Sequence, residues 1–331
     1  MKKLLSLLLC IAVMTSLFLL PASAEGDPEF RAALCISNSL GDQGFFDSAY
    51  EGFQRLEKDF GITISIVECK SDASMYQLAL VDAAENNDIV VAVGWEFGDG
   101  LAEVVPEMPD TLFLFIDNAM DGYDNLMSVT YAENEGSFLA GYIAMMQSQT
   151  KKVGFVGGGD DDTINNFLVG YRQGALYANP TGTVLSPKYA NDNYEAPDLG
   201  KEAALSLYSE GADVVFHAAG KTGLGVFNAA TETGNFAIGV DSDQKYLAPD
   251  AIICSMAKEV GGSIYGVISD YLIDGVFQGG EIWNADMSTD YIHITYGDDT
   301  MPQQVSPELK AEIKLLTEKI ISGEIVVEST R

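Results

Sequence analysis

Residues 216–244 read FHAAGKTGLGVFNAATETGNFAIGVDSDQ, and this stretch decides the fold. The β-branched run that leads into it, Ala212 to Phe216, has the composition of a parallel strand buried on both faces. It ends in His217-Ala218-Ala219-Gly220, and a helical pattern begins near Thr222. A second apolar strand, Ala237 to Val240, stops on Asp241-Ser242-Asp243. Two parallel strands that deliver Gly and Asp at their C-terminal ends frame a ligand crevice in an open α/β sheet.

The same alternation extends outward in both directions. Strands are predicted at Arg31 to Ser37, Ile62 to Val67, Ile89 to Val93, Leu112 to Ile116 and Met127 to Tyr131. Helices are predicted at Asp47 to Phe60, Ser74 to Asn86, Asp99 to Val105 and Glu133 to Gln149, with Tyr50, Phe53 and Leu56 at helical spacing. The pattern restarts with strand Lys152 to Val156, the turn Gly157-Gly158-Gly159 and helix Thr163 to Tyr177. Strand Thr183 to Tyr189 and helix Asp198 to Glu210 complete the second series, ahead of the stretch already quoted. A long helix, Lys258 to Phe277, a strand near Ile292 to Tyr296 and an amphipathic helix, Pro307 to Ile321, follow. Two βαβ series of similar length imply two doubly wound α/β lobes. The lobes are expected over residues 25–150 and 151–290, followed by a crossover strand and C-terminal helix over 291–331. By architectural analogy the segments after the second series, the helix Lys258 to Phe277 among them, are expected to cross back to the first lobe.

The chain has 331 residues, 47% of them apolar, enough for two cores. Its formal net charge is -31, with only 18 Lys and Arg, so it lacks the basic surface that nucleic acid or anionic lipid requires. Lys2 and Lys3, the apolar run Leu4 to Leu20 and the pattern Pro21-Ala22-Ser23-Ala24 form an export signal over residues 1–24. An uncleaved anchor is the alternative, because the run is near the lower limit for a membrane span. Removal of the signal leaves Cys35, Cys69 and Cys254, an odd number; Cys35 and Cys254 lie in apolar runs as core thiols, and a Cys35–Cys69 bridge is the less favoured possibility. No Cys/His spacing suggests a metal site, and no cofactor is implied.

FHAAGKTGLGVF and AIGVDSDQ, in this order and spacing, resemble the signature of the basic membrane protein family, purine-nucleoside receptor-like substrate-binding proteins of ABC transporters. The resemblance covers nearly all of the mature chain. It implies a type I periplasmic-binding-protein fold, a nucleoside held between two lobes that close by a hinge, and a permease in the cytoplasmic membrane as partner to a monomeric receptor. It also implies an exported, extracytoplasmic location, in the periplasm or at the cell surface. The family's lipid anchor is not carried over, because Cys10 follows Leu9 inside the apolar run.

Residues 41–52, GDQGFFDSAYEG, are similar to the family's first strand-end block. Within it, Asp42 offers acceptors to a base edge and Phe45 a ring for stacking, worth roughly 1–3 kcal/mol per base. Asp47 and Ser48 suit a helix cap as well as a ligand contact. Phe46 stands where the family usually has Asn, a change that removes a directional donor and acceptor. Trp95 either narrows the cleft or packs beneath its loop. Asp117 falls where the family places a carboxylate on the ligand sugar. Tyr194 matches the second stacking ring, with Tyr189 as its rival. Gly220 and Lys221 occupy the family's glycine turn, where the Lys either reaches a ligand oxygen or points to solvent. Asp241 and Lys258 resemble the pair that shares the sugar diol.

Rival chemistries find less support. GKTG lacks the upstream Gly of a phosphate loop, since Val215 occupies that position. Gly157-Gly158-Gly159 does not have dinucleotide spacing. His217 has no evident nucleophile beside it, and Asp160-Asp161-Asp162 lies too late in the chain for a nucleoside hydrolase metal site, so an enzyme is not expected. A different small polar ligand, such as a sugar, and a sensing receptor without transport are the remaining alternatives.

Overall fold

A computed structural model describes residues 30–330, so the export signal read at residues 1–24 lies outside the described residues. The first series is β1 (Arg31–Ile36), α1 (Phe45–Phe60), β2 (Thr63–Glu68), α2 (Ala73–Asn86), β3 (Ile89–Val93), α3 (Gly98–Val104), β4 (Leu112–Ile116) and β5 (Leu126–Tyr131). Next come α4 (Glu133–Gln147), β6 (Lys152–Gly157), α5 (Asp162–Ala178), β7 (Thr183–Val184), β8 (Lys188–Tyr189), α6 (Pro197–Ser209), β9 (Val214–Ala218), α7 (Leu224–Thr233) and β10 (Phe236–Asp241). The chain ends with β11 (Ile252–Lys258), α8 (Val260–Asp274), β12 (Ile282–Ala285), β13 (Ile292–Thr295) and α9 (Pro307–Ile321).

These strands form two sheets. The first has the order β12-β5-β4-β3-β1-β2 and is parallel throughout. The second has the order β13-β11-β10-β9-β6-β7, with β8 also on β6, and is parallel except for antiparallel β13. Central strands such as β3 (IVVAV) are buried at every residue, as expected where helices cover both faces. The two doubly wound lobes read from the sequence are thus present.

Local chemistry sets the element ends. Asp161 caps α5 by accepting from the Ile164 N–H, and Ser306, followed by Pro307, caps α9. Gly61 ends α1 in the left-handed conformation.

The chain crosses between the lobes three times, and not where the sequence placed the boundaries. It crosses first at Ala132, because α4 packs on α5 under the second sheet. It returns at Glu259, because α8 packs on α1 and β12 joins the edge of the first sheet. It crosses again between Ala285 and Ile292, because β13 pairs with β11. The expected boundaries at residues 151 and 291 are corrected accordingly. The expected helix from Lys258 is corrected too: Lys258 is the last residue of β11, and the helix starts at Val260. The run IICSMAKEVGGSIYGVI passes from strand to helix at the charged pair Lys258-Glu259, with Glu259 alone between the two elements and no Pro. The strand expected at Thr183 to Tyr189 splits into β7 and β8 around Pro187, which has no N–H for a ladder.

Glycines make the α4–α5 contact. A Cβ on Gly174 would lie 1.8 Å from the Phe138 carbonyl oxygen, and one on Gly141 would lie 2.0 Å from that of Tyr171. Backbone cannot move aside as a side chain can, so Gly174→Ala is expected to destabilise by about 1–3 kcal/mol, read from the urea midpoint. An unchanged midpoint would mean that the two helices slide freely. Cys35, Cys69 and Cys254 are free and buried.

Candidate functional site

The C-terminal ends of the strands in both sheets face one cavity of about 650 Å3, its open mouth included. From the first lobe, β1 leads to Asn38, Asp42, Phe45 and Phe46; β3 leads to Trp95 and Glu96; β4 leads to Asp117. The second lobe contributes Asp161 and Phe167 from the start of α5, Tyr194 and Glu195 from the loop before α6, and Gly220 and Lys221 after β9. Asp241 arrives at the end of β10 and Lys258 at the end of β11.

Lys258 is the centre of the charge arrangement. Its Nζ donates to Asp117 Oδ1 at 3.0 Å, across the two lobes, and lies 3.9 Å from Asp241 Oδ1. The same Nζ sits 4.6 Å from the centroid of the Phe45 ring. Burial alone would lower the Lys258 pKa, but Asp117, Asp241 and Glu133 reverse that and raise it. Asp117 and Asp241 both hold left-handed backbone, φ 75° and 66°, which costs on the order of 1–3 kcal/mol for a residue with a Cβ. Such strain is kept where the side chain must point one way. Asp241 Oδ1 is buried and has no hydrogen-bond partner among the described residues. Burial, only partly offset by Lys258, raises the Asp241 pKa to about 7.

Ten of the eleven residues singled out from the sequence line this cavity. Asp47 does not. Its carboxylate accepts from the Gly41 and Gln43 N–H groups and from Gln43 Nε2, so it fastens the loop before α1. Asp42 lines the cavity, but its oxygens already accept from the N–H groups of Gly44, Phe46 and Asp47. Its first task is therefore to hold the start of α1, and burial raises its pKa to about 6 against those three bonds. Phe46 is buried edge-on to Phe45, with centroids 5.0 Å apart, and fixes the ring beside it.

On the opposite wall, the Tyr194 hydroxyl donates to Asp161. Its ring lies against Gly158, where a Cβ would come within 2.1 Å of Tyr194 Cε1. Tyr189, the rival, instead packs on Gly157 and donates to Asn165. Lys221 pairs with Glu195 at 3.3 Å rather than reaching into solvent alone.

Glu96, Asp161 and Glu195 were not anticipated. Glu96 follows Trp95 after the left-handed Gly94, and burial raises its pKa to about 7. Only its position directly after a strand end could have revealed it. Two further bonds join the lobes at one rim: Gln244 Nε2 donates to the Gln43 carbonyl at 3.0 Å, and the Tyr246 hydroxyl to Gln43 Oε1. His217 lies outside the cavity, stacked edge-on against Phe227 at 5.0 Å, and burial lowers its pKa to about 4. No group of three or more His, Cys, Asp or Glu side chains among the described residues is placed to hold a metal ion.

A family model described as "ABC transporter substrate-binding protein PnrA-like" (Bmp) matches residues 30–331. The chain belongs to this family. The curated relatives include basic membrane protein A of Borreliella burgdorferi, 33% identical, covering 98% of this chain and 96% of the relative. Basic membrane protein A of Borreliella afzelii is also 33% identical, covering 90% and 91%. Among solved structures, an ABC transporter system solute-binding protein from Aeropyrum pernix K1 superposes with a TM-score of 0.81 at 25% identity, covering 90% of this chain and 94% of that one. The resemblance read from FHAAGKTGLGVF and AIGVDSDQ is confirmed, as is the two-lobed binding-protein fold. The Bmp-family chain is thus of the ABC transporter substrate-binding type.

Proposed function

We propose that this Bmp-family chain is exported, binds a nucleoside, purine in the first instance, between its lobes as a monomer, and delivers it to a membrane permease. The observation that carries the reading is Asp241 Oδ1, a buried acceptor lining the cavity with no hydrogen-bond partner among the described residues. A buried acceptor left unmade costs about 1–3 kcal/mol, which a ligand hydroxyl would recover. Asp117 and Lys258 stand beside it, so a vicinal diol can accept from Lys258 and donate to both carboxylates. Phe45 and Tyr194 supply a ring from each lobe for a flat base. Binding that needs both lobes favours the closed form, and a closed form is what a permease can distinguish from an empty receptor.

A thermal-shift screen of the mature chain against nucleosides, free bases, ribose and common sugars tests this. A purine nucleoside at about 100 times its dissociation constant should stabilise by roughly 2.7 kcal/mol, and Asp241→Ala should abolish the shift. If free ribose or another sugar shifts the melt and no nucleoside does, the nucleoside reading is wrong.

A further inference from the structure

A second hollow adjoins the ligand cavity. It holds about 830 Å3, its open side included, and is lined by Trp95, Asn118, Thr130, Asp161, Asp162 and Thr163, with Ala119. Trp95, Asp161 and Thr163 line both spaces, so only a layer of side chains separates them. Gly94, with φ 116°, makes the turn that delivers Trp95 to this border, and the indole remains 45% exposed. Asn118 follows Asp117 directly, which places the hollow beside the end of the cavity where Asp117 and Lys258 meet.

The charge of this hollow is one-sided. It has two carboxylates, and no lysine or arginine among the described residues lines it. Asp161 is committed to the Ile164 N–H and the Tyr194 hydroxyl. Asp162 is exposed and has no ion pair among the described residues. An anionic group here would meet two carboxylates that the N-terminal dipole of α5 offsets only in part, whereas an ammonium could face the Asp162 carboxylate and the Trp95 ring together.

We propose that this hollow is a subsite for a positively charged extension of the cleft's ligand, an amine-bearing group on the sugar of a nucleoside. The proposal rests on the nucleoside reading above. If Asp117, Asp241 and Lys258 hold the sugar diol, the carbon that carries the 5′ substituent is the sugar's free end. A substituent on that carbon is the part of the ligand free to extend past Trp95, which borders both spaces. The wall that admits an amine there refuses a phosphate, so the cleft would separate amino-nucleosides and plain nucleosides from nucleotides.

Calorimetric titration of the intact mature chain at pH 7 and low salt tests this with three probes: a purine nucleoside, its 5′-amino-5′-deoxy analogue and its 5′-monophosphate. The amino analogue should bind at least about threefold tighter than the nucleoside, and the monophosphate at least about tenfold weaker. Asp162→Asn should bring the amino analogue to within about twofold of the parent while leaving the parent's affinity unchanged. Added salt should shrink the gap among the three ligands. An amino analogue weaker than its parent, or a monophosphate that binds equally well, would overturn the subsite while leaving the nucleoside reading in place. Failure of all three probes to bind would remove the nucleoside reading, and the subsite with it.

Discussion

Lys258→Met is expected to lower ligand affinity at least about 100-fold and to destabilise the ligand-free protein by about 3–5 kcal/mol. Met keeps the length and apolar stem of the side chain, so the change removes the charge rather than creating a hole. What remains is Asp117 and Asp241, both buried, with Glu133 fully buried beside them. A buried ion pair adds little over an apolar replacement, but breaking one by removing a single partner leaves an uncompensated charge. Here one lysine serves carboxylates from both lobes, so its removal also deletes a bond between them. Lys221→Met is the control: its pair with Glu195 is about one-third exposed, and the loss should stay within about 0–1 kcal/mol. Urea denaturation and titration calorimetry on both variants separate stability from affinity. A Lys258→Met protein as stable as Lys221→Met would show that protons or water neutralise the carboxylates without cost.

What was legible in the sequence followed burial and periodicity. Parallel strands buried on both faces, such as Ile89–Val93 and Leu112–Ile116, read as uniform apolar runs, and both sets of bounds agree with the structure. The C-terminal helix Pro307–Ile321 carries Ser306 and Pro307 as its start signal and was equally plain. β11 was missed because only Glu259 separates it from α8, so the charged pair Lys258-Glu259 reads as a helix start and hides the strand before it. β12, only four residues at a sheet edge, has no run long enough to register. The crossings between lobes were misplaced for a related reason. Ala132 and Glu259 are single residues between long elements, and which sheet a helix covers depends on contacts such as Gly52 against Gly261, remote in sequence.

The cavity was legible at strand ends and illegible where side chains turn back on their own loops. Asp117 and Asp241 stand at the ends of strands that were read, so their positions were legible from the strands; Lys258 ends the unread β11 and was singled out through the family resemblance alone. Asp42 and Asp47 share one loop, and only hydrogen-bond geometry decides which faces the cavity. The left-handed backbone at Asp117 and Asp241 has no sequence signal at all. It is the structural sign that these two side chains are aimed.

The ligand-free protein should lose stability as pH rises from about 5 to 8, while ligand affinity rises over the same range. Asp241, Glu96 and Asp42 have folded-state pKa values raised by burial to about 7, 7 and 6, from ordinary values of 3.8, 4.5 and 3.8. Between those limits the folded chain holds protons that the unfolded chain has released. Stability from these groups is therefore complete below about pH 4 and is lost as pH climbs through 6 and 7. A tenfold difference in proton affinity between the folded and unfolded chain corresponds to about 1.4 kcal/mol, so Asp241 alone could contribute up to a few kcal/mol. Lys258, also raised, changes charge far above this window and does not enter the slope. Exposed Asp72 and Asp298, with lowered pKa values, act only below it. His217, which burial lowers from 6.5 to about 4, has the opposite sign: its contribution rises up to about pH 6.5 and offsets one of the three carboxylates, so the decline is steepest above that pH. The charge of -31 adds self-repulsion in the same direction as carboxylates ionise. Melting temperature measured from pH 5 to 8 should fall, and Asp241→Asn should flatten the decline. Affinity should move oppositely, because a ligand hydroxyl donates best to an ionised Asp241 and binding must first release its proton. The gain approaches tenfold per pH unit below about 7 and levels off above it. An affinity insensitive to pH, together with a melting curve that Asp241→Asn leaves unchanged, would show that Asp241 is already ionised in the empty cleft.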